Sequence, residues 1–64
     1  MKKRYFKITV LIPHFSPVNH YLYVTNINSS KNYYVVNGSK NRDDDDIYTH
    51  YFPIQYTIME QSEG

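Results

Sequence analysis

The chain has no cysteine and no tryptophan, and it has only two glycines among its 64 residues. Because cysteine is absent, the chain can form neither a disulfide nor a thiolate zinc site, which excludes disulfide-rich domains and zinc fingers. Gly38 and Gly64 are too few to build the glycine-rich loop that cradles phosphate groups. The sequence therefore lacks both of the cross-links that commonly support very small domains, and it lacks a nucleotide-binding loop.

A long apolar run is also absent. The longest run covers residues 8–12 and is closed by Pro13, whereas a membrane-spanning helix needs about 18 apolar residues. Residues 1–4 form a basic N-terminal end similar to the start of a signal peptide, but the apolar stretch behind it is short and no small-residue cleavage site follows. We therefore expect a cytoplasmic protein that neither crosses a membrane nor is secreted.

The supply of core residues is small. Hydrophobic residues make up 41% of the chain, but eight of them are tyrosine, which leaves 18 purely apolar side chains. A single domain of this length buries roughly 60% of the surface of its unfolded chain, and its core rarely supplies more than about 3–5 kcal/mol. Residues 1–64 are therefore expected to form one small domain that dimerises with a second copy, because self-association needs no special residue.

Alternating apolar and polar residues predict strands. The strand-favouring residues Val, Ile, Tyr, Phe and Thr number 26, whereas the strong helix formers number 15. The first alternating run covers residues 5–12, with the period of two that a half-buried strand shows. The face of this run that we expect to pack inward consists of Phe6, Ile8, Val10 and Ile12.

A second alternating run, residues 20–27, is followed by polar turn residues 28–32 and by a third run, residues 33–36, which together predict a hairpin. One face of the second run carries His20, Leu22 and Val24. Its other face carries Tyr21, Tyr23, Thr25 and Ile27. The polar and acidic stretch at residues 37–46 is interpreted as one loop, although Asn-Gly at its start also suits a tight turn.

After this loop, residues 47–59 alternate again around Pro53, which indicates a bent or bulged strand pair. A short helix over residues 46–52 is the alternative for this segment, because aspartates suit a helix N-terminus. Residues 61–64 are expected to be a frayed tail. The predicted fold class is all-β, a small antiparallel sheet of four to five strands with meander-like connections.

Four consecutive aspartates are the most unusual feature of the sequence. Counted from Asp43, the sixth residue is Tyr48 and the twelfth is Ile54, where a calcium-binding loop needs glycine and glutamate. Outside this run the acidic residues are only Glu60 and Glu63, too few for a set of carboxylates that converge on a catalytic metal. Two interpretations remain, a solvated loop tip and an acidic patch that meets a basic partner surface.

Histidine and serine offer no catalytic pattern. His14, His20 and His50 match no compact spacing of metal ligands. No serine lies in the glycine-flanked turn of a nucleophile elbow, and so short a chain has little room for a concave pocket. We therefore expect no enzymatic activity, no cofactor and no metal.

Tyrosine gives the stronger signal. Tyr21 and Tyr23 share one face of the second strand, and either Tyr33 or Tyr34 could join them across the hairpin. The structural interpretation is that tyrosine replaces phenylalanine in a small sheet, with its hydroxyl at the rim. The functional interpretation is a recognition surface, since tyrosine offers a large rigid area and a hydrogen-bonding tip.

The predicted function is that of a small protein-binding module, a stoichiometric inhibitor or adaptor that acts on a larger host protein. AT-rich coding and small size associate such chains with phage or mobile-element accessory proteins. One alternative is a single-stranded nucleic-acid-binding β protein, which the net charge of only +1 weakens, and another is a structural subunit of a larger assembly. The predicted partner-binding residues are Tyr21, Tyr23, Tyr33, Tyr34, Asp43, Asp44, Asp45 and Asp46.

Overall fold

A computed structural model describes residues 2–62, and these residues form five antiparallel strands joined by short connections. The strands are β1 (Arg4–Val10), β2 (Val18–Ser29), β3 (Tyr33–Ser39), β4 (Tyr48–Pro53) and β5 (Thr57–Ser62). A single turn of 3-10 helix, Ile54–Tyr56, connects β4 to β5. The all-β prediction is confirmed. The alternative helix over residues 46–52 is wrong, because residues 48–52 pair with β3 as part of a strand and residues 46 and 47 lie in the loop before it.

The five strands make one open sheet in the order β4-β3-β2-β1-β5. The first four strands form a meander, as predicted, and β5 pairs with β1 at the other side of the sheet. The 3-10 turn is held at both ends, because Ile54 N–H donates to the Asn32 carbonyl (3.0 Å) and Leu11 N–H donates to the Tyr56 carbonyl (2.7 Å). These two bonds position the start of β5 beside the end of β1.

One face of the sheet, here called the inner face, carries the core. Its buried side chains are Phe6, Ile8, Val10, Leu22, Val24, Val36 and Phe52. Within residues 2–62 no helix or second sheet covers this face, so the sheet has to curl over its own core. The curl is visible in the contact between Phe52 of β4 and His20 of β2, whose rings lie 5.4 Å apart although β3 separates the two strands.

A β-bulge in the middle of β2 changes the side on which its later residues lie. The pairing with β3 shifts between Val24 and Asn26, so that one extra residue, Thr25, stands in β2. Ile27 consequently pairs with Val36 and packs against the core, not on the face of Tyr21 and Tyr23 as the plain alternation predicted. The bulge also bends β2, which helps the sheet to curl.

The ends of two predicted segments differ from those in the structure. Ile12 was expected to face inward, but β1 ends at Val10 and Ile12 lies exposed in the following loop. The predicted frayed tail is wrong for Gln61 and Ser62, which pair with β1 as the end of β5. Residues 63 and 64, and Met1 in the basic N-terminal end, lie outside the described residues.

The third strand is longer than predicted, because Asn37, Gly38 and Ser39 belong to β3 and not to the following loop. Gly38 pairs with Val24 at the edge of the bulge. A Cβ atom at position 38 would lie 2.5 Å from the carbonyl oxygen of Tyr23, a distance that real Cβ atoms do not adopt. The close approach of β2 and β3 therefore requires glycine here, and the loop itself covers residues 40–47.

Candidate functional site

Three tyrosines meet on the outer face of the sheet, opposite the core. Tyr5 of β1 pairs directly with Tyr23 of β2, and Tyr21 lies two residues earlier on the same face. The ring of Tyr5 is 4.7 Å from that of Tyr23, tilted by 41°, and 6.2 Å from that of Tyr21, almost parallel to it. Tyr21 is 49% exposed. These three residues, the tyrosine cluster, form a preassembled aromatic surface.

The sequence places the cluster on the outer face through simple alternation. In β1 the inner positions are the apolar Phe6 and Ile8, so Tyr5 and Lys7 point outward. Lys7 pairs with Tyr21 and borders the cluster with a positive charge. The tyrosine cluster therefore follows from the same pattern that builds the core.

The loop at residues 40–47 is attached beside the tyrosine cluster. The Lys3 ammonium group donates to Ser39 Oγ (3.1 Å), to the Arg42 carbonyl (3.0 Å) and to the Asp44 carbonyl (2.6 Å). Ser39 is buried, pairs with Tyr23 across the sheet, and donates through Oγ to the Asn41 carbonyl (2.7 Å). Lys3 and Ser39 thus fix the loop backbone next to the cluster.

Arg42 makes the second link between the loop and the cluster. Its guanidinium carbon lies 5.4 Å from the centre of the Tyr23 ring, within the range of a cation–π contact. A shallow cleft of about 390 Å³ separates the loop from the start of the chain. The residues that line this cleft are Lys3, Arg42, Asp43, Asp44, Asp45 and Ile47.

The four aspartates occupy this fixed loop with their charges at the surface. Asp43, Asp45 and Asp46 are exposed, and Asp44 is half-buried. Lys3 donates to backbone carbonyls of the loop, and these hydrogen bonds do not involve the aspartate carboxylates. The aspartate loop, residues 43–46, is therefore a localised negative charge with a defined position beside the tyrosine cluster.

The predicted binding residues divide into two groups in space. Tyr21 and Tyr23 lie together, and the aspartate loop adjoins them through Arg42. Tyr33 is on the outer face, where it pairs with Pro53. It lies six residues, or about 20 Å, along β3 from Ser39, the residue that pairs with Tyr23. Tyr34 is on the inner face, where it pairs with Phe52 and packs against the core. The structure brings neither Tyr33 nor Tyr34 to the cluster.

Two residues of this surface escape the sequence-based prediction. Tyr5 is the central ring of the cluster, and Lys3 makes the three bonds that fix the loop. The alternation of β1 places Tyr5 on the outer face, so pairing β1 with β2 in the observed register would have found it. Lys3 carries no such signal, because its acceptors lie 36 to 41 residues further along the chain.

The histidines lie apart from this surface. His20 and His50 both contact Phe52, at ring distances of 5.4 and 6.3 Å, and His14 lies in the loop between β1 and β2. His50 Nε2 is buried without a hydrogen-bond partner. Residues 2–62 contain no group of three or more histidines and carboxylates arranged to hold a metal ion.

Comparison of this chain with protein families, with curated proteins and with solved structures finds no match. The described part of the chain, residues 2–62, contains no helix that is long and apolar enough to cross a membrane. Function is therefore inferred from the chemistry and geometry of the surface that the tyrosine cluster and the aspartate loop form.

Proposed function

We propose that this chain is a non-enzymatic protein-binding module, a stoichiometric inhibitor or adaptor that acts on a larger protein. The tyrosine cluster and the aspartate loop together form its binding surface, here called the composite surface. The observation that carries the proposal is the ring of Tyr21, half-exposed on the outer face and stacked beside Tyr5, in a cluster whose Tyr23 ring contacts Arg42 next to the four aspartates.

The tyrosine cluster has the properties of an energetic centre of a protein interface. Tyrosine is enriched among the few residues that carry most of the binding energy. Because Tyr5 already packs against Tyr21 and Tyr23, the rings lose little conformational freedom when a partner covers them. An exposed, preassembled aromatic surface therefore supports a protein partner that covers it directly.

The aspartate loop defines the charge of that partner. Four adjacent carboxylates attract a basic surface and oppose an acidic one, and such steering acts mainly on the rate of association. The bonds from Lys3 keep the loop beside the cluster, so both features can contact one partner at once. The proposed partner is a larger protein with a basic patch next to an apolar one.

Three finer statements belong to the same proposal. The chain works as a homodimer, because its core is small and no cysteine is present to cross-link it. It acts in the cytoplasm, and its partner is a host protein of the kind that phage or mobile-element accessory proteins bind. The first statement rests on the core, and the other two rest on size and composition alone.

Single-stranded nucleic acid is the second candidate partner. Lys7 pairs with Tyr21, and the Arg42 guanidinium lies over the Tyr23 ring, so cations border rings on which bases could stack. The aspartate loop opposes this candidate, because phosphate groups would approach four carboxylates at the edge of the cluster. A structural subunit of a larger assembly remains a third candidate, which would polymerise or co-purify in fixed proportion with its neighbours.

The proposal is tested by capture from the native host followed by kinetics on the captured protein. We expect Tyr21→Ala and Tyr23→Ala to accelerate dissociation about tenfold or more, since central aromatic side chains act mainly after encounter. Tyr51→Ala is the matched control, because Tyr51 is 65% exposed on the same outer face but lies on the edge strand β4. Equal dissociation rates for all three variants would contradict the proposal.

The nucleic-acid candidate is tested with a fluorescently labelled oligothymidine. Binding that weakens steeply between about 50 and 200 mM salt, and that Lys7→Met reduces, would favour nucleic acid over a protein partner. The protein-binding proposal predicts no measurable binding to this probe at either salt concentration.

A further inference from the structure

A second exposed surface lies at the other end of β1 from the aspartate loop. Four apolar side chains there are exposed in and beside the loop between β1 and β2, and we call them the apolar end: Leu11, Ile12, Phe15 and Val18. Phe15 is 73% exposed, which is the highest value among the large hydrophobic residues of the described chain. Contiguous exposed apolar side chains mark interaction sites more often than scattered ones do.

The apolar end is held in a defined conformation. The pair Val10 and Val18 closes the base of the loop, and Phe15 N–H donates to the Ile12 carbonyl (3.1 Å). Pro13 and Pro17 each fix one backbone angle in the loop. Ordering the backbone of this segment in a complex therefore costs little further conformational entropy.

The charge distribution indicates which partner fits this surface. Residues 8–30 contain no Asp, Glu, Lys or Arg, and this stretch includes the whole apolar end. In a two-fold dimer each group near the axis faces its own copy, so a charged group there would meet a like charge. The apolar end has no charged group that would face a like charge across the axis. A dimer formed through the composite surface would instead bring the aspartate loops of two copies close together.

The size of the core points to the same partner. In residues 2–62, seven hydrophobic side chains are buried, while the chain exposes 4847 Å². A standard interface covers about 800 Å² on each partner, roughly a sixth of this surface. A second copy that covers Phe15 and its neighbours would add large apolar side chains to a small core.

We propose that the apolar end is the interface of a two-fold homodimer, with Phe15 of each copy packed against the other copy. The inference rests on the homodimer of the proposed function, and it places the dimer interface at the end of β1 opposite the aspartate loop. Each copy then keeps its tyrosine cluster exposed, and the dimer presents two equivalent composite surfaces. The dimer interface does not depend on the identity of the partner that those surfaces bind.

Sedimentation equilibrium at micromolar concentration tests the interface. We expect the wild-type chain to sediment at twice its mass of 7.7 kDa, and Phe15→Asp to shift it to the monomer. Tyr51→Asp is the matched control, since it also places a carboxylate at an exposed aromatic position, and it should remain dimeric. A monomeric wild-type chain, or a Phe15→Asp variant as dimeric as the wild type, would overturn the proposal.

A cross-link provides a test that does not alter the interface side chains, because the chain has no cysteine of its own. Ser16→Cys lies in the loop of the apolar end, and Ser29→Cys lies at the far end of β2. Under the same mild oxidation, Ser16→Cys should form a covalent dimer at least tenfold faster than Ser29→Cys. Equal rates, or a faster reaction of Ser29→Cys, would overturn the proposed interface.

Other occupants of the apolar end give different outcomes. A monomeric wild-type chain that sediments with vesicles of neutral lipid would assign the apolar end to a membrane surface and overturn the dimer.

Failure of the proposed function is distinguishable from failure of the dimer interface, because Tyr21→Ala should remain dimeric while it loses its partner. Conversely, Phe15→Asp should become monomeric while it retains the partner in a complex of one to one.

Discussion

Two tyrosines on opposite faces of the sheet differ in what surrounds them, and the proposed function assigns them different roles. Tyr34 lies on the inner face, where it pairs with Phe52 and packs against the core. Tyr21 lies on the outer face, half-exposed, and its ring neighbour is Tyr5. The core accounts for the ring of Tyr34, whereas about half of the surface of Tyr21 stays exposed beside Tyr5. The difference identifies the outer rings as the ones available to a partner.

The same contrast holds within a single strand. In β1 the inner residues Phe6, Ile8 and Val10 are buried, while the outer residues between them are only half-buried. A substitution on the inner face should therefore act on the free energy of unfolding, and one on the outer face should act on binding. The predictions below test this separation, from the largest expected effect on stability to the smallest.

The largest effect is expected for Ile8→Ala, because Ile8 is completely buried at the centre of the inner face. Loss of its side chain removes apolar burial and leaves a cavity, which costs about 2–5 kcal/mol. Thr9→Ala is the control on the outer face. It loses one hydrogen bond from Thr9 Oγ1 to Asn19 Oδ1 (2.8 Å) and should cost about 1 kcal/mol.

Denaturant unfolding at one fixed protein concentration measures both variants, since self-association would make stability depend on concentration. A smaller loss of stability for Ile8→Ala than for Thr9→Ala would show that the two faces are assigned the wrong way round.

Features of this fold that depend on neighbouring residues in the sequence were predictable, whereas features that depend on pairing between distant strands were not. The inner face of β1 follows from strict alternation, which is why Phe6, Ile8 and Val10 were predicted correctly. Ile27 was placed on the wrong face, because a bulge in β2 depends on how β3 pairs with it and leaves no clear mark in the alternation. Ile12 was wrong for a similar reason, since the pairing of β1 with both of its neighbouring strands ends at Val10, which the alternation of residues 5–12 does not reveal.

The candidate site divides in the same way. Tyr21 and Tyr23 are two residues apart on one strand, so their common face could be predicted from the sequence alone. Their contact with Tyr5 needs the register of β1 against β2, and the position of the aspartate loop needs the long-range bonds of Lys3. Sequence patterns thus selected Tyr21, Tyr23 and the aspartates as candidates, but they missed Tyr5 and could not show which residues lie close together.

The second prediction concerns the closest approach of β2 and β3. Gly38→Ala would place a Cβ atom 2.5 Å from the backbone oxygen of Tyr23, and backbone cannot move aside as a side chain can. We expect a loss of about 3 kcal/mol, the upper range for overpacking. Ser39→Ala is less suitable as a control because Ser39 is hydrogen-bonded, so Asn41→Ala in the exposed loop serves instead.

Unfolding midpoints of the two variants provide the measurement. If Gly38→Ala were as stable as Asn41→Ala, the close approach of the strands at the bulge would be incorrect, and with it the face assigned to Ile27.

The third prediction concerns the attachment of the loop. Lys3→Met retains the length of the side chain but removes its three hydrogen bonds to Ser39, Arg42 and Asp44. We expect a loss of about 1–2 kcal/mol, because these bonds are charge-assisted but only partly shielded from water. Amide hydrogen exchange should show faster exchange in residues 40–47, while Lys31→Met in the exposed turn between β2 and β3 leaves that exchange unchanged.

The smallest effect on stability is expected for the joint replacement of Asp43, Asp44, Asp45 and Asp46 by asparagine. Their side chains are at the surface, and the loop is held through backbone carbonyls that the replacement retains. The free energy of unfolding should therefore change by less than about 0.5 kcal/mol. Association with a basic partner should slow severalfold and lose most of its salt dependence, while the dissociation rate stays nearly constant.

Tyr21→Ala supplies the opposite pattern, with faster dissociation and an unchanged association rate, if the cluster and the loop have separate roles in binding. Measuring both rates for both variants at two salt concentrations separates steering by charge from adhesion by the aromatic rings. If the asparagine variant changed only the dissociation rate, the carboxylates would contact the partner directly. The aspartate loop would then belong to the centre of the interface with Tyr5 and Tyr23, and not to its charged rim.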